Sequence, residues 1–302
     1  MANSLTLAEK YLKILDAKMV KDSTTSILEA SNEMTKGFDE AGTIKIMSMI
    51  VKGLGNYTKD GGSSSFPAGG ITTTWESYTI DNDRAQSFTV DAVDDEESMN
   101  MVFVNAVKLF MDEWVIPEID ATRYATMASL AGTSVEETKD ETTILLSLDT
   151  ATQTLDEENV PSDGRVLFVN NEYYKYLKNN NKITRNVSVE GDGAKTINRN
   201  IEMFDDMKII KVPQSRFYTA IDLEDGTGDV WGYSKGALGR NINFIMAYPP
   251  YATAITRHVT PRVFPARINQ DSDGDKFQYR IYHDTIVPVN KRKSIYVSYA
   301  TA

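Results

Sequence analysis

The stretch that decides the fold is residues 94–132, DDEESMNMVFVNAVKLFMDEWVIPEIDATRYATMASLAG. It reads as one long helix. Asp94 stands at the N-cap with Glu97 three residues on, and Asp95, Glu96 and Glu97 set negative charge on the positive end of the helix dipole. Met99, Val102, Phe103, Ala106, Val107, Phe110, Trp114, Ala121, Ala125 and Ala128 recur at helical spacing, which predicts one buried stripe with Phe103, Phe110 and Trp114 at its core. Asn100, Asn105, Lys108, Asp112 and Arg123 fall on the opposite, polar face, and Gly132 is the stop signal. Unbroken, such a helix spans roughly 55 Å. Pro117 lacks an N–H and its ring clashes with the carbonyl four residues back, which predicts a kink there with both halves burying the same stripe.

Composition sets the outer limits. The chain has 302 residues, 41% of them hydrophobic and 25% charged, which excludes a disordered protein and suits one large domain or two modest ones. There is no cysteine, so disulfide and thiolate chemistry are excluded, and His258 and His283 alone give no basis for a histidine-rich metal centre. No apolar run reaches membrane-spanning length, and MANSLTLAEKYLKILDAK at residues 1–18 is amphipathic without a signal-peptide apolar region; a soluble, cytoplasmically made protein with no membrane partner is expected. A net charge of -11 argues against a protein whose main task is gripping phosphates.

On either side of the helix the pattern changes by segment. Residues 1–36 read as an extended arm with a short amphipathic helix, and Thr43 to Leu54 (TIKIMSMIVKGL) as a strand packed in the core. The Gly- and Ser-rich run from Asn56 to Gly70 leads into two alternating segments, TTTWESYTI (72–80) and AQSFTV (85–90), with a turn at Asp81-Asn82-Asp83. They predict a projecting β-hairpin from Ile71 to Val90 with no core of its own to cover, an interaction device. Beyond Gly132 come a helix at 142–155, a buried strand RVLFVN (165–170), a helix from Asn171 carrying Tyr173, Tyr174, Tyr176 and Leu177, a strand MKIIKV (207–212), a turn at 222–229, a strand NFIMAY (243–248) and two closing strands within 277–299.

Motifs for chemistry fail on spacing. Asp271-Ser272-Asp273-Gly274-Asp275 has its glycine too early for a calcium loop and Tyr282 at its twelfth position, so it reads as a hairpin turn. Gly191-Asp192-Gly193-Ala194-Lys195-Thr196 lacks the strand-to-helix setting of a phosphate loop. With no G-x-S-x-G or H-E-x-x-H, no catalytic residue, cofactor or metal ligand is assigned and no enzyme is expected.

The order of elements resembles the major capsid proteins of tailed bacteriophages with the HK97-like fold. The hairpin ITTTWESYTIDNDRAQSFTVDAVDDEES runs straight into the long helix, where that family has its E-loop and then its spine helix; VPSDGRVLFVNNEYYKYLKN followed by MFDDMKIIKVPQSRF looks like the strand-helix-strand core of its A domain. The resemblance implies an α+β fold divided into an N-terminal arm (1–36), a first part of the peripheral (P) domain (37–54), the E-loop hairpin (55–93), the P-domain spine helix (94–132), the axial (A) domain with its central α/β section (133–255) and closing P and A/P strands (256–302). It implies a structural head protein, self-assembling as pentamers and hexamers into an icosahedral shell around double-stranded DNA that it does not bind sequence-specifically. A separate scaffolding protein and a portal protein would be partners, and the protein would reside in the virion and, during assembly, in the host cytoplasm. Trp75, Tyr78, Asp81, Asp83 and Phe88 would then contact a neighbouring subunit. An encapsulin-like bacterial nanocompartment shell, or an α/β enzyme with a lid hairpin, are the alternatives. The basic clusters Lys291-Arg292-Lys293 and Arg257, Arg262 and Arg267 either meet acidic hairpin residues of a neighbour, face packaged DNA, or are solvated strand ends.

Overall fold

A computed structural model describes residues 23–29, 43–57, 59, 66–91, 102–138, 140–180 and 201–301. The start of the expected helix (94–101), most of the expected arm and the 191–196 turn lie outside the described residues. At the centre is a six-stranded mixed sheet in the order β4-β13-β10-β5-β7-β6, formed by β4 (Thr133–Glu137), β13 (Ile295–Ala300), β10 (Ile242–Ala247), β5 (Val166–Asn170), β7 (Met207–Val212) and β6 (Met203–Phe204). Strands β5 and β10 are buried at every residue, which is why VLFVN and INFIMA are almost uninterrupted apolar runs. The pleat sends Val166, Phe168, Ile245 and Ala247 to one face, where Tyr124 and Met127 cover them, and Leu167, Val169, Phe244 and Met246 to the other. That second face is covered by α3 (Ile144–Glu157) and α4 (Asn171–Asn179) through Leu148, Leu155, Tyr173 and Leu177. Helix α4 starts where the Asn170 side chain accepts the Glu172 N–H at 2.9 Å, the N-cap that the sequence NNEYY calls for.

The long helix is described from Val102 to Ser129, as α1 (Val102–Phe110), a π turn (Met111–Val115) and α2 (Ile116–Ser129), a run of roughly 40 Å. The disturbance expected at Pro117 takes the form of this π turn: the Ile116 N–H reaches five residues back to the Met111 carbonyl, and Pro117 then falls in the first turn of α2, where its missing N–H costs least. The wide turn also changes the buried stripe. Phe103, Val107, Met111, Val115 and Ile119 line up at every fourth residue against Phe277, Tyr279 and Ile281, so Trp114, one residue ahead of Val115, is turned off that face and is 48% exposed. The expectation that Trp114 is core is corrected accordingly; Phe103 is buried and Phe110 half-buried as part of the same cluster. Arg123, expected on a solvated face, is 1% exposed.

The predicted hairpin is not a hairpin. Strand β2 (Ile71–Thr79) pairs antiparallel with β1 (Thr43–Val51), while β3 (Asn82–Asp91) pairs with β12 (Gly274–Ile286), which in turn pairs with β11 (Thr253–Phe264). The chain changes sheets at Ile80, which is buried with Ile44, Ile255 and Ile286 and whose carbonyl accepts the Tyr282 hydroxyl at 2.7 Å. Strand β1 is correspondingly not a core strand: Ile44 is buried and Ile46 half-buried, but Met47, Met49, Ile50 and Val51 are exposed. The 271–275 segment ends the nine-residue connection from β11 to β12 (265–273) and enters β12, held by Asn269 Nδ2 donating to the Gly274 carbonyl at 2.8 Å.

Candidate subunit interface

The β1–β2 ribbon is the feature that its own chain leaves unfinished. In its register Met47 lies opposite Trp75, Met49 opposite Thr73 and Val51 opposite Ile71, so alternation puts these side chains on one face. Met47, Met49, Val51, Ile71 and Trp75 (64% exposed) are all solvated there. The other face is tied down at its base: Asn290 Nδ2 donates to Ser48 Oγ at 2.6 Å, and the Val289 N–H donates to Glu76 Oε2 and to the Tyr78 hydroxyl at 3.2 Å each. Tyr78 donates to Glu76 in turn, and burial together with that carboxylate raises its pKa to about 12. A two-stranded ribbon is marginal alone, and monomeric proteins rarely expose a contiguous apolar face of this kind. The ribbon is held at one end and bare along one side.

Of the residues expected to contact a neighbour, the structure keeps Trp75 and Asp81 exposed and engages the others within the chain. Phe88 packs in an aromatic cluster with Phe110 (edge to face) and Phe277 (tilted), at centroid distances of 5.9 and 5.2 Å. Asp83 accepts both Arg280 nitrogens, at 2.9 and 2.5 Å. The basic run 291–293 is also partly used internally: Lys291 lies 4.0 Å from the Tyr251 ring centroid and Lys293 pairs with Glu158 at 2.6 Å.

Two arrangements escaped the sequence reading. In the first, the segment 23–29 is clasped to α2 by Asp120, which is fully buried. Its carboxylate accepts Ser23 Oγ and Thr25 Oγ1 at 2.6 Å, the Thr24 hydroxyl at 2.7 Å, the Thr24 N–H at 3.0 Å and Arg216 Nη1 at 3.1 Å. Arg123 donates to Thr25 Oγ1 at 2.8 Å and Tyr124 to Thr24 Oγ1 at 2.9 Å. Burial lowers the Arg123 pKa and raises that of Tyr124 well above the ordinary phenol range. An acid and an arginine three residues apart on one helix, Asp120 and Arg123, are the signal that was there to read.

The second is a cavity of about 210 Å³ where α1–α2, β3, β12 and the turn between β8 (Ile221–Leu223) and β9 (Tyr233–Lys235) converge. Phe110, Trp114, Trp231, Tyr279 and Ile281 supply its apolar wall. Arg84 ties the pieces together, donating Nε to Glu118 Oε1 at 2.6 Å and Nη2 to the Gly232 carbonyl at 3.0 Å. Gly232 has φ +81, and a Cβ there would come within 2.9 Å of the Trp114 ring, so glycine lets the turn close on the helix. Among the described residues no group of three metal-capable side chains occurs, and no helix is long and apolar enough to cross a membrane.

No protein-family model matches the chain, and a search of curated proteins finds no match either. Solved structures do match. A chain from Mycobacterium phage Che8 aligns at TM-score 0.57 and 18% identity over 90% of this chain and 89% of its own. A chain from Microbacterium phage Oxtober96 gives TM-score 0.57 at 12% identity, covering 90% and 92%, and one from the capsid of the Cyanophage P-SCSP1u gives 0.54 at 14%, covering 85% and 83%. Over nearly its whole length, therefore, the chain has the mixed α+β fold found in solved structures of bacteriophage capsids.

Proposed function

We propose that this protein is a structural head subunit of the HK97-like kind, which assembles with copies of itself into a closed shell around double-stranded DNA. The observation that carries the reading is the bare apolar face of the β1–β2 ribbon on a chain whose fold is shared with phage capsid chains at near-complete coverage. In this assignment the helical run Val102–Ser129 is the spine helix and the ribbon with its tip, residues 43–79, is the E-loop, displaced toward the N-terminus from the sequence-based placement because β3 belongs to the other sheet. Heterologous contacts between such subunits close rings of five and six, which converts the solvated ribbon face into interface. The acidic balance fits a container and not a DNA clamp. A scaffolding protein and a portal are the expected assembly partners, with the virion as the final location.

The test is size-exclusion chromatography and electron microscopy of the purified chain, alone and produced together with a candidate scaffolding protein. Closed particles are expected in at least the second preparation. A chain that stays monomeric in both would sink the reading.

A further inference from the structure

The cavity beside Trp114 and Trp231 is open at its mouth, and both indoles are half exposed there. Its size is informative, since a cavity of roughly 150 Å³ takes a benzene ring; about 210 Å³ admits one large aliphatic or aromatic side chain. The β8–β9 hairpin that presents Trp231 is acidic, with Asp222, Glu224, Asp225 and Asp229 against Lys235, and Glu113 precedes Trp114 in the sequence. The Thr227 N–H holds Asp225 ionised from 2.9 Å, with a weaker pull from Arg84, so that turn is negatively charged across the neutral range.

The same chain carries a knob of matching size and opposite charge. Leu54, at the end of the ribbon, is 107% exposed, a leucine with nothing of its own subunit against it. Tyr57 and Phe66, further along the same segment, meet edge to face at 5.1 Å. Across the ribbon, residues 43–79, the sequence has Lys45, Lys52 and Lys59 against Asp60 and Glu76, and Glu76 is engaged at the ribbon's base, which leaves a basic element in a chain of net charge -11. All three lysines are exposed.

We propose that the Trp114–Trp231 cavity is the seat for the ribbon tip of a second copy of this chain, with Leu54 inserted between the two indoles and the ribbon lysines over the acidic β8–β9 turn. This rests on the shell reading and deepens it by naming the acceptor. Insertion buries the bare leucine and both tryptophan faces at once, and the charge match sets the direction of approach. It also accounts for Trp114 facing away from the helix's own core.

Because the chain has no cysteine, the contact can be read directly. Leu54 is solvated and Gln86, half-buried on the cavity wall on the same strand face as Arg84 and Phe88, tolerates a thiol, so the double variant Leu54→Cys, Gln86→Cys keeps the fold. Assembled particles of this variant, oxidised and run on a non-reducing gel, are expected to give a ladder of covalent multimers, because a disulfide requires the two Cα atoms to lie within about 7 Å. Each single variant, and the pair Leu54→Cys with Leu238→Cys, is expected to give nothing beyond dimers. Intact particles without the ladder, or an equal ladder from the Leu238 control, would overturn the seat while leaving the shell reading standing. Absence of wild-type particles would overturn both.

Discussion

Asp120 shows how much a single residue can organise without touching any ligand. A buried carboxylate with five donors is stable only while the donors stay in place, and these come from residues 23–25 and from Arg216, far apart in sequence. Asp120→Ala is expected to cost roughly 3 to 5 kcal/mol in urea unfolding, because it leaves Arg216 without its counter-charge and the hydroxyls of Ser23, Thr24 and Thr25 without their acceptor. A loss below about 1 kcal/mol would mean the pair behaves as a solvated one. His283 makes the opposite case. It is buried on β12 without a partner for Nδ1, and burial, reinforced by Arg123 and Arg84, lowers its pKa to about 3. The unfolded chain takes up the proton near pH 6.5 and the folded one does not, so stability contributed by neutral His283 is present above that pH and declines as pH falls toward 3. The slope is about 1.4 kcal/mol per pH unit at most. Unfolding midpoints measured from pH 7 to 5 should fall less steeply for His283→Asn than for the wild type; parallel curves would show that His283 is protonated in the fold. The spacing of Asp120 and Arg123 on one helix was the only legible trace of the first site, and nothing local distinguishes a buried His283 from a solvated one.

The elements divide by how local their signals are. Strand β5 and helix α4 could be read directly, because burial on both faces of β5 writes a continuous apolar run and Asn170 writes the cap of α4. Alternation in residues 71–91 identified two strands correctly but said nothing of their partners, which lie at 43–51 and 274–286. Pairing is a long-range property, and a turn-like Asp-Asn-Asp between two strands favours a hairpin only when no third strand competes. The π turn was likewise invisible: Pro117 announced a disturbance, but a disturbance of one extra residue per turn rotates Trp114 out of the core. These differences predict opposite outcomes for two aromatic truncations. Phe277→Ala, in the cluster under the long helix, is expected to cost roughly 3 to 5 kcal/mol of subunit stability. Trp75→Ala should leave subunit stability within about 0.5 kcal/mol while reducing particle yield. Denaturation and particle counts from the same preparations separate the two, and a Trp75 variant that unfolds early would place the ribbon face within the subunit's own core.

At the scale of the whole molecule, charge and shape act together. A net charge of -11 keeps subunits apart and away from DNA, while the basic ribbon offers the attraction needed between copies. Raising salt should therefore weaken assembly, and isolated subunits should bind duplex DNA only weakly at about physiological ionic strength. Fluorescence anisotropy with a labelled duplex checks the second point; submicromolar binding with a steep salt dependence would make nucleic-acid binding the primary role. The most direct test of the shell reading is the structure of an assembled particle by electron cryomicroscopy at side-chain resolution. The expected map shows Met47, Met49, Val51, Ile71 and Trp75 of each ribbon covered by an adjacent subunit of a closed shell. A particle in which that face remains solvated, or discrete small oligomers in place of shells, would contradict it.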